Sequence, residues 1–138
     1  MGTVPGIYGD IYCTRPAVFR VLEEVIGELL DVFPGTFFHV GGDEAPKKRW
    51  KACTTCQDTI RREGLADEHA LQSWFIRHFD RFLSENGRRL VGWDEILEGG
   101  LAPGATVMSW RGTAGGIKAG RAGHDVVMSP MDHCYFDW

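Results

Sequence analysis

The sequence predicts an α/β protein with a parallel sheet. Short segments rich in β-branched and aromatic residues alternate with longer segments in which apolar residues recur at helical spacing. This alternation favours parallel strands that are joined by helices. The chain contains no internal repeat, no low-complexity tract and no polar linker rich in Ser and Pro. We therefore expect a single domain over residues 1–138.

The first predicted element is a helix that begins at Pro16 and ends before Pro34 and Gly35. Proline suits the first helical turn because its φ angle is fixed near the helical value. A proline followed by a glycine then stops the helix. Apolar residues at helical spacing predict one buried face, made of Phe19, Leu22, Val25, Ile26, Leu29 and Leu30.

A short buried strand is predicted over residues 36–40, followed by two adjacent acids. Gly41 and Gly42 let the chain leave the sheet with dihedral angles that other residues avoid. Asp43 and Glu44 come next, and barrels of alternating strands and helices build their chemistry at the carboxyl ends of the strands. The two acids are therefore candidate catalytic residues. The alternative is that Asp43 only forms a turn or caps a helix.

Two more helices are predicted before the next strand. The basic residues 47–49 indicate a loop, and a short helix follows around residues 57–62 and ends at Gly64. A longer helix is expected between Asp67 as its N-cap and Gly87 as its stop. Its apolar stripe consists of Leu71, Trp74, Phe75, His78, Phe79, Phe82 and Leu83. The histidine on this stripe is expected to be packed rather than to bind a ligand.

Aromatic residues recur where the later predicted strands end. Strands are expected at residues 89–92, 106–109 and 125–129, and the last helix at about residues 116–122. Trp93 and Trp110 follow the first two of these strands, and Tyr135 lies a few residues past the third. Indole and phenol rings together suit a ligand that has an apolar face and many hydroxyl groups, such as a sugar. For each tryptophan alone, ordinary burial in the core is the alternative.

Five blocks of the sequence carry one resemblance: HVGGDE at residues 39–44, VGWDE at 91–95, SWRG at 109–112, GHDVVMSP at 123–130 and YFD at 135–137. Together these blocks resemble glycoside hydrolase family 20, the β-N-acetylhexosaminidases. They occur in the family's order and extend through essentially the whole chain. A complete barrel takes about 250 residues, whereas this chain has 138. The resemblance therefore implies a partial (β/α)8 TIM barrel, roughly a half-barrel with parallel strands.

The resemblance implies substrate-assisted, retaining hydrolysis that removes terminal N-acetylhexosamine from glycans. Glu44 would give a proton to the leaving oxygen, and burial among indoles would keep this acid protonated near neutral pH. Asp43 would stay charged and orient the 2-acetamido group of the substrate, whose oxygen attacks the anomeric carbon. The two acids can converge only if they lie past the end of the strand, because adjacent residues of a strand face opposite ways.

The family also implies residues that bind the sugar. Trp93 and Trp110 would enclose the acetamido methyl group, Tyr135 would hydrogen-bond the acetamido carbonyl oxygen, and Asp137 would bind a sugar hydroxyl. No cofactor is implied. Periplasmic or extracellular location is expected from the resemblance alone.

Charge and hydropathy limit the partners that we expect. The net charge of −4 gives no reason to expect nucleic acid or an anionic membrane surface as a partner. No stretch of the sequence is long and apolar enough to span a bilayer. A half-barrel leaves two edge strands with unpaired backbone groups, so we expect a homodimer through these exposed edges.

A histidine near the acids and four cysteines are the other candidate metal ligands. His39 lies close to Asp43 and Glu44, but a lone histidine in a strand is more often an interior group and the family needs no metal, so no metal is expected there. Cys53 and Cys56 have zinc-ligand or redox spacing, yet one such pair falls short of a zinc-finger pattern. On the barrel interpretation the cysteines lie in loops on the rim at the carboxyl ends of the strands. They are Cys13, Cys53, Cys56 and Cys134, either as free thiols or as disulfides.

Three hypotheses about function follow from the sequence. The first is an N-acetylhexosaminidase, or part of one, and the activity of the isolated chain is left open. The second is a non-catalytic half-barrel that binds carbohydrate or has a structural role. The third is a metal-dependent hydrolase centred on His39, Asp43 and Glu44.

Overall fold

The fold is a parallel four-stranded sheet, seen in a computed structural model that describes residues 10–136. Asp137 lies outside the described residues. The strands are β1 (Phe37–His39), β2 (Arg89–Trp93), β3 (Thr106–Ser109) and β4 (Val126–Met128). They lie side by side in chain order, and each neighbouring pair is parallel. An uninterrupted order of this kind forms the wall of a (β/α)8 barrel, whereas the order reverses in a doubly wound sheet.

Helices occupy most of the connections. They are α1 (Pro16–Val32), α2 (Lys48–Ala52), α3 (Thr54–Arg62), α4 (Glu68–Glu85), α5 (Ala114–Arg121) and α6 (Met131–Cys134). A buried 3₁₀ helix, Asp94–Leu97, takes the place of an α-helix between β2 and β3. The α/β prediction is confirmed, and the sheet is consistent with a partial barrel.

The predicted helix signals are partly confirmed. Asp67 caps α4, because its Oδ1 accepts a hydrogen bond from the Ala70 amide at 2.9 Å. The prediction of a loop at residues 47–49 is wrong, since α2 already begins at Lys48. The prediction that α5 is the last helix is also wrong, because α6 follows β4 as a single turn after Pro130.

The main core lies between the sheet, α1 and α4. Phe19 of α1 contacts the rings of Phe75 at 4.7 Å and Phe79 at 5.9 Å between centroids. Leu90 of β2 and Val107 of β3 are fully buried in the same cluster. His78 packs against Phe19 at 4.6 Å between ring centroids, as expected for a packed histidine.

The predicted buried face of α1 is too wide. Phe19 and Leu30 are buried, but Val25 and Leu29 are 50% and 37% exposed. Val21 and Val32 are exposed as well, so α1 presents an apolar stripe to solvent in the described chain. Within residues 10–136, no helix has the length and apolar character needed to cross a bilayer.

Candidate active site

The two acids lie past the end of β1 on a loop joined to β2. The strand ends at His39, and Gly41 and Gly42 then have φ angles of 76° and 97°. The carbonyl oxygen of Gly41 accepts a hydrogen bond from the Trp93 amide at 2.9 Å. The turn that carries the acids is therefore tied to the end of the next strand.

A glutamine from α4 fixes the same loop from the other side. Gln72 donates through Nε2 to the carbonyl oxygen of Gly42 at 2.7 Å. The ammonium group of Lys47 donates to Gln72 Oε1 and, at 2.7 Å, to the carbonyl oxygen of Ala45. A Cβ atom at Gly42 would overlap the Ile96 side chain, so only glycine fits between the loop and the 3₁₀ helix. These contacts hold the backbone on both sides of Asp43 and Glu44.

Glu44 opens onto a cleft at the carboxyl ends of the strands. Its φ angle is 43°, which is unusual for any residue except glycine. The side chain is exposed and lines an open cleft of about 520 Å³. The other residues that line the cleft are Ala45, Pro46, Lys47, His69, Gln72, Glu95, Glu98, Trp110 and Arg111. Glu44 and Trp110, both predicted from the sequence, therefore border one space.

The two predicted tryptophans are in contact. The ring centroids of Trp93 and Trp110 are 6.4 Å apart, and the rings meet edge to face at 70°. The parallel register brings this about, because Trp93 of β2 pairs with Met108 of β3. His39 contacts Trp93 on its other side, with 4.8 Å between centroids.

Tyr135 lies at the same end of the sheet as these rings. The Met131 amide donates to the carbonyl oxygen of Trp110 at 2.9 Å, which places the start of α6 beside the end of β3. Tyr135 follows α6 directly and is partly buried. Among residues 10–136 it forms no ring pair with Trp93 or Trp110. Of the predicted aromatic residues, Trp93 and Trp110 are in contact, and the part played by Tyr135 stays a prediction.

A charged network that the sequence analysis did not identify borders the cleft. Trp110 donates through Nε1 to Glu95 Oε2 at 3.0 Å. Arg111 donates through Nε to Asp94 Oδ1 at 2.6 Å and through one terminal nitrogen to Glu98 Oε1 at 3.0 Å. Asp94 and Glu95 are buried, although they directly follow Trp93 in sequence. The VGWDE block contained this signal, since acids that follow a strand were the same cue that singled out Asp43 and Glu44.

The pKa values of Glu95 and Glu98 in this network are shifted in opposite directions. Burial raises the pKa of Glu95, although the Trp110 N–H and the charge of Arg111 oppose the shift. Partial burial also acts to raise the pKa of Glu98, but hydrogen bonds from Arg111 and His69 outweigh it and lower that pKa. Partial burial lowers the pKa of Lys47, against the attraction of Glu98 and Glu95. The cleft therefore combines one carboxyl group that retains its proton more readily with another that loses it more readily.

His39 is held by the backbone beside the acids. The Gly41 amide donates to His39 Nδ1 at 3.1 Å, so this nitrogen accepts a hydrogen bond and carries no proton. Partial burial lowers the pKa of His39, and the charge of Asp43 opposes that shift. The ring therefore favours its neutral form, and it packs against Trp93.

Three of the cysteines meet away from the cleft. The sulfur atom of Cys13 lies 3.5 Å from that of Cys53 and 3.7 Å from that of Cys56. The prediction that all the cysteines lie in loops is wrong, because Cys56 is part of α3 and Cys134 is part of α6. All four thiols are free.

Consecutive parallel strands whose carboxyl ends carry acids, indoles and an open cleft define a segment of a (β/α)8 barrel enzyme. The sequence profile of the glycosyl hydrolase family 20 catalytic domain matches residues 6–138. The chain therefore belongs to glycosyl hydrolase family 20.

Relatives agree in sequence and in structure. A beta-hexosaminidase of Porphyromonas gingivalis is 58% identical over 126 residues, which cover 91% of this chain and 16% of that protein. The crystal structure of a beta-N-acetylhexosaminidase superimposes with a TM-score of 0.84 at 31% identity, over 99% of this chain and 30% of the other.

An exo beta-N-acetylglucosaminidase of Vibrio harveyi, solved in complex with N-acetylglucosamine, has a TM-score of 0.76 at 30% identity. That match covers 83% of this chain and 18% of the other. The chain thus spans about a sixth to a third of the length of these relatives.

Proposed function

We propose that this chain carries the acid centre of a β-N-acetylhexosaminidase, which removes terminal N-acetylhexosamine from glycans by substrate-assisted, retaining hydrolysis. The observation that carries the proposal is the position of Glu44. It borders the same cleft as Trp110, directly after a glycine turn at the carboxyl end of a parallel strand. Its neighbour Asp43 is close enough to His39 to influence the titration of that ring.

The proposed roles follow from what glycoside hydrolysis requires. The leaving oxygen must receive a proton as its bond to the anomeric carbon breaks, and Glu44 supplies it. Asp43 holds the N–H of the 2-acetamido group and stabilises the positive charge that develops as the acetamido oxygen attacks. Trp93 and Trp110 enclose the acetamido methyl group. Holding the acetamido oxygen near the anomeric carbon makes the attack intramolecular, which is worth about 7–11 kcal/mol in the best cases.

Tyr135 and Asp137 complete the proposed sugar site. Tyr135 hydrogen-bonds the acetamido carbonyl oxygen, and Asp137 binds a sugar hydroxyl group. A hydrogen bond from the Met131 amide to the Trp110 carbonyl oxygen ties the segment before Tyr135 to a residue of the cleft. This contact supports the role proposed for Tyr135.

A chimeric enzyme tests the proposal in a complete barrel. This chain replaces the aligned segment of the Porphyromonas gingivalis relative, and release of the aryl group from an aryl N-acetyl-β-glucosaminide is measured. Glu44→Gln is expected to lower kcat by about 10²–10⁴-fold, as expected for loss of a general acid. Glu85→Gln is the matched control, because Glu85 is exposed at the end of α4.

Substrates with different leaving groups distinguish the role of Glu44 from that of Asp43. A substrate with a highly activated leaving group needs no proton, so it restores much of the rate of Glu44→Gln but not that of Asp43→Asn. A substrate with a 2-hydroxyl group in place of the acetamido group should not react, because it lacks the internal nucleophile. Full activity of Glu44→Gln on an unactivated substrate would contradict the proposal.

One observation favours the second candidate, a non-catalytic half-barrel that binds carbohydrate. Both Asp43 and Glu44 are exposed in the described chain, so water reaches the acids. This candidate predicts that the isolated chain binds an N-acetylglucosamine-thiazoline without turning over any substrate. Titration calorimetry together with the aryl glycoside assay distinguishes the two candidates.

A further inference from the structure

The sulfur atoms of Cys13, Cys53 and Cys56 form a triangle that the proposed glycosidase chemistry does not use. They come from the segment before α1, the residue before α3 and the first turn of α3. All three sulfurs lie within 4.8 Å of one another. Within residues 10–136, this is the one group of three or more Cys, His, Asp or Glu side chains spaced to hold a metal ion.

The separations match those of thiolates around a tetrahedral ion. With Zn–S bonds of about 2.3 Å, tetrahedral ligands lie about 3.8 Å apart. The two measured separations from Cys13 are 3.5 Å and 3.7 Å. Cysteine sulfur is also the ligand that zinc and other thiophilic ions prefer. We propose that Cys13, Cys53 and Cys56 form a zinc-binding site.

Hydrogen bonds of neighbouring residues hold the three cysteines in this arrangement. Thr14, next to Cys13, is bonded through its hydroxyl to the hydroxyl of Thr59 at 2.9 Å, and both are buried. Trp50 donates through Nε1 to the carbonyl oxygen of Tyr12 at 2.7 Å. The residues on both sides of Cys13 are thus attached to α2 and α3, so the three thiols are brought together before any ion binds.

The surroundings suit a site with three thiolates and one open position. Cys56 is fully buried, while Cys13 and Cys53 are partly exposed at a cleft of about 380 Å³. The remaining residues that line the cleft are Ile11, Arg49, Trp50 and Ala52, none of which is a common zinc ligand. Water or a small anion would therefore occupy the fourth position. Arg49, which lines this cleft, is paired with Asp10.

The acid–base properties of the thiols are compatible with this site. A hydrogen bond from the Cys56 backbone lowers the pKa of Cys53 and favours its thiolate. Burial raises the pKa of Cys56 to about 11, so its proton must be displaced when an ion binds. Zinc would connect the segment before α1 to α2 and α3, directly after the loop that carries the acids. The site is independent of the proposed hydrolysis, since it contains none of the residues that border the cleft at Glu44.

Metal content and cobalt spectroscopy test the site in the whole chain. Protein purified under reducing conditions is dialysed against zinc and measured by elemental mass spectrometry, and about one equivalent of zinc per chain is expected. Replacement by Co²⁺ should give thiolate-to-cobalt charge-transfer absorption and the visible bands of a tetrahedral ion. Chelation with EDTA should lower the Tm by several degrees, and zinc should restore it.

Serine variants assign the ligands. Cys13→Ser and Cys53→Ser should each lower the bound zinc to below about 0.2 equivalents, whereas Cys134→Ser should leave it unchanged. Cys134 is the matched control because it is exposed and lies outside the triangle. Circular dichroism establishes that each variant is folded, and the cobalt spectrum of the parent chain requires no variant. Absence of zinc and of the cobalt bands in the parent chain would overturn the proposal, as would a disulfide among these three cysteines in protein that binds no metal.

Discussion

At the scale of single residues, the backbone of Glu44 is the clearest sign of a functional constraint. Its φ angle of 43° is the one positive value among the described residues other than glycine. A residue with a Cβ atom is destabilised by about 1–2 kcal/mol when its φ angle is positive in this way. Hydrogen bonds to the carbonyl oxygens of Gly41 and Gly42, from Trp93 and Gln72, hold the turn in place. Strain that the surrounding structure enforces is typical of active sites, and this supports a catalytic role for the residue.

Glu95 and Glu98 should affect stability in opposite ways as the pH changes. Burial raises the pKa of Glu95 in the folded state above its ordinary value of 4.5. Ionisation of this group therefore destabilises the folded state increasingly as the pH rises above 4.5. Glu95→Gln should therefore raise the free energy of unfolding relative to the parent. The gain should be larger at pH 7 than at pH 4.5, and the amide oxygen of the introduced glutamine can still accept from Trp110. Urea unfolding at a series of pH values measures this difference.

Glu98 provides the matched comparison for the pH series. Hydrogen bonds from Arg111 and His69 lower its pKa against the effect of burial, so its stabilisation is present above pH 4.5 and is lost as the pH falls through the lowered value. Glu98→Gln should cost about 0.5–1 kcal/mol at pH 7, because the ion pair is partly exposed. This loss of unfolding free energy should disappear once the pH falls below the lowered pKa of Glu98. Equal and pH-independent effects of the two substitutions would contradict this account.

At the scale of secondary-structure elements, α4 and the turn after the 3₁₀ helix approach each other closely. A Cβ atom at Gly99 would overlap the carbonyl oxygen of His69. This oxygen belongs to the backbone of α4, so relieving the overlap requires the helix itself to shift. Gly99→Ala should therefore lower the free energy of unfolding by about 1–3 kcal/mol, as overpacking does elsewhere. Thermal and urea unfolding measure the loss, and α4 carries Gln72, so the loop with the acids should also loosen.

The control for this prediction is a glycine with free space around it. Gly27 lies inside α1, and nothing lies within 4 Å of a Cβ atom built there. Gly27→Ala should stabilise the protein by about 0.5–1 kcal/mol, because alanine favours the helix more than glycine does. If both alanine variants change stability in the same direction, close packing at Gly99 is not the cause.

Local sequence signals predicted most of these elements. The proline at position 16, the cap at Asp67 and the stop at Gly87 define α1 and α4, because each acts on its own helix end. The β3 strand was predicted with its observed bounds, residues 106–109. The basic segment at 47–49 predicts a loop, whereas a helix begins there at Lys48. Its helix, α2, is short, and its buried residue is Trp50, which bonds to Tyr12 far away in sequence.

The parts of the sites that depend on distant contacts could not be predicted. Cys13 is 40 residues from Cys53, and their sulfurs meet because Thr14 is bonded to Thr59 and Tyr12 to Trp50. The burial of Glu95 likewise depends on Trp110 and Arg111 from the next strand end. Periodicity reports which face of an element is apolar, but it does not report which neighbour that face will meet.

At the scale of the whole molecule, the sheet has two free edges in the described chain. The β1 strand pairs only with β2, and β4 pairs only with β3. Phe37 on β1 is 57% exposed, and Val127 and Met128 on β4 are 43% and 46% exposed. The family relatives are several times longer than this chain. Free edges with apolar side chains favour association with another chain.

We therefore expect the isolated chain to form a homodimer through its edge strands, as the half-barrel prediction requires. Phe37→Lys combined with Val127→Lys places a charge on each edge and should weaken the dimer at least about tenfold, or about 1.4 kcal/mol. Val25→Lys is the control, because it adds a lysine to the exposed stripe of α1 and leaves both edges unchanged. Light scattering after size-exclusion chromatography at micromolar concentration measures the mass of each protein. A folded, monomeric parent would show that the prediction is wrong, and dissociation by Val25→Lys alone would move the interface from the sheet edges to the helix.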